Sequence, residues 1–193
     1  FMNVDRADFI PEDQKGMTYY DVPLSIPSAQ TISAPSMVAM MLEYAELKPG
    51  LKVLEIGTGS GYNAALISEI VGQENLITIE RTPKLIEFAK KNLEKTGHGE
   101  IRIINTDGSQ GYPKEAPYDR IISTAASPTM PPSWKEQLKP GGLIIAPIGG
   151  RHFYQELIVA RKNSQGKINE LKRGSCVFVP LIGKEAWPEY SER

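Results

Sequence analysis

The chain has 193 residues, a formal net charge of −1 and one cysteine, Cys176. That length suits one domain around one core. The charge leaves no global basic footprint for nucleic acid, and a lone cysteine excludes an intrachain disulfide and fits a reducing compartment. No apolar run reaches the length of a membrane span and no signal peptide opens the chain, so the expectation is one cytoplasmic domain over residues 1–193.

Residues 1–30 are spotted with Pro11, Pro23 and Pro27, carry the pair Tyr19-Tyr20, and read as irregular. From Pro35 to Leu47 the apolar residues Met37, Met40, Met41, Tyr44 and Leu47 recur at helical spacing, and Lys48-Pro49-Gly50 ends the helix. The methionines read as core filler. Ser33 stands just ahead of this helix. It is either an N-cap or, beside free helix N–H groups, a place for a carboxylate.

Val53–Ile56 reads as a buried strand, Gly57, Gly59 and Gly61 as a tight turn, and Tyr62–Val71 as a helix that stops at Gly72. A strand, a glycine loop and a helix hold a nucleotide-like cofactor at the carboxyl end of a parallel sheet. The spacing is G-x-G-x-G, one residue short of the usual dinucleotide loop. Glu55 faces that loop from two residues before Gly57. An acid there suits a positively charged ligand. S-adenosylmethionine (AdoMet) has that charge on its sulfonium and amino groups; a pyrophosphate does not.

Leu76–Glu80 is a second strand. It ends in an acid placed to accept the hydroxyls of a ribose. Pro83–Glu94 is a helix closed by Gly97, and Ile101–Thr106 a third strand. Asp107-Gly108 follows, either an adenine-facing acid with an open backbone or only a turn. His98 and His152 have no ligand cluster near them in sequence, so no metal is expected. Tyr118–Thr124 is a fourth strand, Pro131–Lys139 a short helix and Leu143–Ile148 a fifth strand. The alternation predicts an α/β fold with a doubly wound, mostly parallel sheet. Glu156–Arg161 and Ser175–Leu181 break the rhythm and predict an antiparallel closing pair, with Cys176 a small buried hydrophobe.

If AdoMet is the ligand, the fourth strand's end narrows the acceptor. Thr124-Ala125-Ala126-Ser127-Pro128 lacks the Asn/Asp-Pro-Pro-aromatic stretch of DNA amine methyltransferases. Cys176 is misplaced for cytosine C5 chemistry, and no clustered acids serve a metal-assisted catechol reaction. A carboxylate acceptor needs no base, since it is already ionised near neutrality. The protein has only to position it and exclude water.

The segments QTISAPSMVA (30–39), VLEIGTGSGY (53–62), ITIER (77–81), YDRIISTAA (118–126), QLKPGGLIIAPIG (137–149) and FVPLIGKEAW (178–187) occur in order along nearly the whole chain. Together with Phe9-Ile10-Pro11 they resemble the protein-L-isoaspartate O-methyltransferases, with an archaeal-type ending at Lys184-Glu185. The resemblance implies a Rossmann-like class I AdoMet-dependent enzyme. It would methylate the free α-carboxylate of L-isoaspartyl residues in damaged proteins and peptides, begin repair through a succinimide and release S-adenosylhomocysteine. It makes Ser33 the active-site serine that holds the acceptor, with Ala34, Pro35 and Val179 on the substrate side. Thr31 and Ile32 would line the methyl end of the cofactor pocket. Glu55, Gly57, Thr58, Gly59, Ser60 and Gly61 would hold the methionine part, Glu80 with Arg81 the ribose, and Asp107 with Gly108 the adenine. Neither nucleic acid nor membrane enters as a partner. A small-molecule or RNA acceptor, or a nucleoside-binding protein without turnover, are the alternatives.

Three departures from the family pattern stand out. Ser36 occupies a position often held by His. Ala29 precedes Gln30 where Gly is usual, predicting a stiffer loop. The helix that usually precedes residue 1 is not in the sequence, so residues 1–35 are expected to form the substrate-side segment alone.

Overall fold

A computed structural model describes residues 1–189. The elements in chain order are β1 (Leu24–Ile26), β2 (Gln30–Ile32), α1 (Pro35–Tyr44), β3 (Val53–Ile56), α2 (Tyr62–Val71), β4 (Leu76–Glu80), α3 (Pro83–Lys95), β5 (Arg102–Asn105), β6 (Tyr118–Ser123), α4 (Pro132–Gln137), β7 (Leu138–Gly149), β8 (Gln155–Lys162) and β9 (Ile168–Cys176). Seven strands form one sheet in the order β5-β4-β3-β6-β7-β8-β9. The pairs from β5 to β7 are parallel, and β8 and β9 close the sheet antiparallel. The chain winds outward from β3 in both directions, so a crevice opens at the carboxyl end of β3.

Period two sorts the strand residues onto two faces. Val53, Leu76 and Ile122 join α1, α2 and α3 in one apolar cluster. Leu54, Ile56, Ile77, Ile79 and Ile121 join Trp134 and Tyr118 in the other. Glu55 and Thr78 therefore lie on the α2 side of the sheet, as Val53 and Leu76 do.

Several boundaries differ from the sequence reading. The helix from Pro35 stops at Tyr44, three residues early, and Glu46 takes a left-handed φ of 48°. Its end is set from outside: the guanidinium of buried Arg120 donates to the carbonyls of Ala45 and Glu46. The segment 131–139 divides, because Leu138 pairs with Tyr118 and is buried as the start of β7. The final strand is Ile168–Cys176, not Ser175–Leu181. It is an exposed edge strand, so it carries no alternating apolar signal to read. Residues 1–30 are more ordered than their prolines suggest. They hold two 3-10 turns, Arg6–Phe9 and Glu12–Met17, and the hairpin strand β1, which pairs antiparallel with β2.

Trp134 links the fold to the crevice. It is fully buried, and its indole Nε1 donates to the Gly108 carbonyl at 2.9 Å. Trp134→Phe should remove one of the two hydrogen bonds to that carbonyl, which keeps the Gly111 N–H, and cost about 0.5–1.5 kcal/mol. Urea denaturation checks this: the midpoint should fall with an unchanged m-value. A variant as stable as the parent would mean that the bond contributes nothing.

Candidate active site

The crevice holds a cavity of about 730 Å³, open to solvent on one side. Its floor is built where β3, β4 and β6 end: Ile56, Gly57 and Gly59, then Glu80–Thr82, then Thr124 and Ala125. Gly108 supplies one wall. Gln30 and Thr31, from the β1–β2 hairpin, face the C-terminal segment Val179–Ile182 across the opening.

The glycine loop is tight for a stated reason. Gly57 has φ +95°, and a Cβ built on it would stand 2.5 Å from Oγ1 of Thr124. That hydroxyl donates to the Gly57 carbonyl at 2.7 Å, which locks the ends of β3 and β6 together. The N–H groups of Gly57 and Thr58 both donate to the Ile79 carbonyl, fixing the loop over β4. Helix α2 then starts from left-handed Gly61, with no side-chain cap.

Glu80 is 7% exposed and lines the cavity. Its Oε2 accepts the Gly59 N–H at 3.1 Å and its Oε1 the Thr82 N–H at 3.0 Å. Each carboxylate oxygen keeps further acceptor capacity toward the cavity, as the ribose assignment requires. Arg81 also lines the cavity.

Glu55 stands behind the loop and is fully buried. Its Oε1 accepts from Nδ2 of Asn63 at 2.7 Å and its Oε2 from the Thr78 hydroxyl at 2.5 Å; that hydroxyl also meets Thr58 Oγ1 at 2.7 Å. Burial pushes this carboxyl up from 4.5 to about 7, against the lowering effect of the Thr78 and Asn63 bonds, and the Glu80 charge adds to the rise. The acid faces the loop from beneath and supports it through side chains; it is not among the residues lining the cavity.

Asp107 is likewise turned to structural partners. Its Oδ1 accepts from the backbone N–H and the hydroxyl of Ser109, and its Oδ2 from the Lys184 N–H at 2.8 Å. It anchors the C-terminal segment so closely that a Cβ on Gly183 would collide with Oδ1. Gly108 reaches the cavity and Asp107 does not.

A smaller recess adjoins the loop, lined by Thr31, Ile32, Ser33, Thr58, Ser60 and Asn63. Ser33 is not the N-cap of α1. Ala34 holds that position without a side-chain bond. The helix N–H of Ser36 is taken instead by the Asp21 carboxylate at 2.9 Å, and that bond holds Asp21 below the usual carboxylate range. The anion at this helix terminus is thus the protein's own. The Ser33 hydroxyl has no partner among the described residues. Ala34 and Pro35 follow it into α1 and line neither space.

Sequence reading missed Gln30, Thr124, Ala125 and Pro180–Ile182. Each lay in a segment already singled out. The missing step was the topology that folds residues 30–31 and 179–182 over one crevice.

The hairpin turn before Gln30 asks of Ala29 a backbone that glycine adopts most readily. Ser28 and Ala29 both take left-handed backbone angles, φ 63° and 54°. Non-glycine residues hold that region at a cost of roughly 1–2 kcal/mol each.

Glu55 gives a pH signature. Between 4.5 and about 7 the folded chain keeps a proton that the unfolded chain has released, so this group's contribution to stability falls as pH rises. Glu55→Gln removes the slope. The stability of this variant relative to the parent should rise by about 3 kcal/mol between pH 4 and pH 8, since each pH unit within that window is worth about 1.36 kcal/mol. Chemical denaturation across that range checks it. A pH-independent difference would show that Glu55 ionises normally.

Residues 1–186 match the family profile described as Protein-L-isoaspartate(D-aspartate) O-methyltransferase (PCMT). A protein-L-isoaspartate O-methyltransferase of Pyrococcus horikoshii is 51% identical over 189 residues, covering 98% of this chain and 86% of that protein. Among solved structures, a protein-L-isoaspartate O-methyltransferase superposes with a TM-score of 0.82 at 31% identity, over 95% of this chain and 59% of that one. A putative relative from Plasmodium falciparum, solved with S-adenosyl-L-homocysteine, has a TM-score of 0.81 at 27% identity, over 94% of this chain and 87% of that one.

Proposed function

The chain belongs to the protein-L-isoaspartate(D-aspartate) O-methyltransferase family, and on that premise we propose how its residues divide the work of methylating the free α-carboxylate of L-isoaspartyl residues with AdoMet. The cavity fits the methyl donor on its own evidence. It offers a buried carboxylate at Glu80 for a diol and glycine backbone at Gly57 and Gly59 in its floor. When bound, AdoMet supplies an electrophilic methyl group on a sulfonium sulfur.

The rest falls to the chain. Glu80 and Arg81 hold the ribose end, Gly108 the base, and the loop Gly57–Gly61 the amino-acid end, with Glu55 beneath it as a support. The observation that carries the acceptor side is Ser33. Its hydroxyl has no protein partner among the described residues, and Ser33 lines the recess with Thr31 and the glycine loop. There it donates to one carboxylate oxygen of the isoaspartyl residue and aims the other. No general base is required of the chain, because the acceptor is already ionised. The hairpin residues Gln30 and Thr31 and the segment Val179–Ile182 exclude water.

We read residues 1–193 as one methyltransferase domain with residues 1–35 on the acceptor side. The partners are proteins and peptides bearing isoaspartyl residues, and nucleic acid and membrane are not among them. No helix among the described residues is long and apolar enough to cross a membrane; a cytoplasmic location is part of the proposal. The relatives favour neither a small-molecule or RNA acceptor nor a nucleoside-binding role without turnover.

The test is labelled AdoMet with a pair of peptides that differ only in an isoaspartyl or aspartyl linkage. Methyl transfer to the first alone is expected, and equal labelling would reject the acceptor assignment. Ser33→Ala should lose about ten- to a hundredfold in kcat/KM, the equivalent of a charge-assisted hydrogen bond. Its AdoMet affinity by calorimetry should stay within a factor of about two. Near-normal turnover would remove Ser33 from the site.

A further inference from the structure

Arg6 is 2% exposed. A buried arginine usually meets a carboxylate. Among the described residues none forms an ion pair with it. Its guanidinium donates instead to three backbone carbonyls. Nη1 reaches Thr18, and Nη2 reaches Val22 and Ser33, both at 3.1 Å. Nε is buried without an acceptor. An apolar side chain of similar volume would fill this place without burying a charge or an unmet donor. The reason for an arginine therefore lies in what it holds.

The three carbonyls come from separate pieces of chain. Thr18 ends a 3-10 turn, Val22 lies just before β1, and Ser33 lies just after β2. One planar fork with fixed donor directions fastens all three. From the far side, Asp21 fastens Ser36 at the start of α1. Ser33 is thus held through its own carbonyl by Arg6, and through the adjoining helix by Asp21. Ser33 lines the recess beside Gly57 and Gly59, and its hydroxyl has no protein partner among the described residues.

We infer that Arg6 is a positioning residue for the methyl acceptor: by clamping the Ser33 carbonyl to those of Thr18 and Val22, it sets where the Ser33 hydroxyl stands over the glycine loop. This rests on the acceptor role of Ser33 proposed above. Arg6 itself lines neither cavity and reaches the recess through Ser33. Its buried charge is offset in part by Asp21.

A double-mutant cycle in the full chain tests it, with Arg6→Lys, Ser33→Ala and the pair. Lysine keeps the charge but loses the fork. S-adenosylhomocysteine binding by calorimetry first establishes that each variant is folded, and parent activity on the isoaspartyl peptide establishes the acceptor reading independently. Arg6→Lys should lose about tenfold or more in kcat/KM, mainly in kcat, while S-adenosylhomocysteine affinity stays within about twofold. In the Ser33→Ala background the same change should cost less than about twofold, because residues that act as a unit are non-additive.

Full additivity, or normal kcat in folded Arg6→Lys, would overturn the inference. If Arg6→Lys fails to bind S-adenosylhomocysteine, Arg6→Gln takes its place in the cycle. Failure of both would overturn it as well, by making Arg6 a support of the whole fold. If the parent methylates no isoaspartyl peptide, the acceptor reading fails first, and with it the basis for assigning Arg6 this role.

Discussion

The pairing of β3 between two parallel neighbours governs the rest of the molecule. Ile56 sits opposite Ile79 of β4 on one side and Ser123 of β6 on the other. Three strand ends are thereby brought level. Each is followed at once by residues of the cavity floor. The contact of Gly57 with Thr124 is the tightest point of this arrangement. A side chain there would drive the ends of β3 and β6 apart, and the floor would lose its shape before any ligand group was touched.

Two acids on neighbouring strands have opposite fates in this setting. Glu80 ends β4 and receives two backbone N–H groups at the cavity edge. Glu55 is one residue short of the end of β3, on the face under α2, and receives only side-chain donors out of reach of water. Glu55 stands opposite Thr78, and Glu80 lies two residues beyond it on the same face, so depth along the strand and not the face separates the cavity-lining carboxylate from the supporting one.

Much of the architecture was legible because buried parallel strands write plain apolar runs. VLEI and LITIE fall where the structure has β3 and β4, and Gly72 ends α2 as read. The edges were less legible. Of INELKRGSC only Ser175 and Cys176 fall in a strand on sequence, yet backbone pairing to β8 makes the whole segment one. In the site, the cavity-lining Glu80 and Gly57 could be found from local motif logic. Glu55 and Asp107 carried the same logic but line neither cavity; their carboxylates accept from Asn63, Thr78, Ser109 and Lys184, contacts that no spacing rule reveals. Arg6 gave no signal at all. Its three carbonyl partners have no side-chain identity, so nothing in the sequence marks them.

The exposed strand β9 bears on what a repair enzyme must avoid. Damaged proteins offer extended, partly unfolded backbone, and a free sheet edge is a template for such backbone to add to. β9 is that edge: it pairs with β8 on one side and ends the sheet on the other. Along it lie Glu170, Lys172 and Arg173, all exposed, then Gly174 at φ +124°, and the ladder to β8 slips register between Glu156 and Ile158. Charges of both signs, an irregular ladder and a kinked end make the edge a poor partner for stray strands. The crevice opens away from that edge, at the carboxyl ends of the parallel strands β3, β4 and β6.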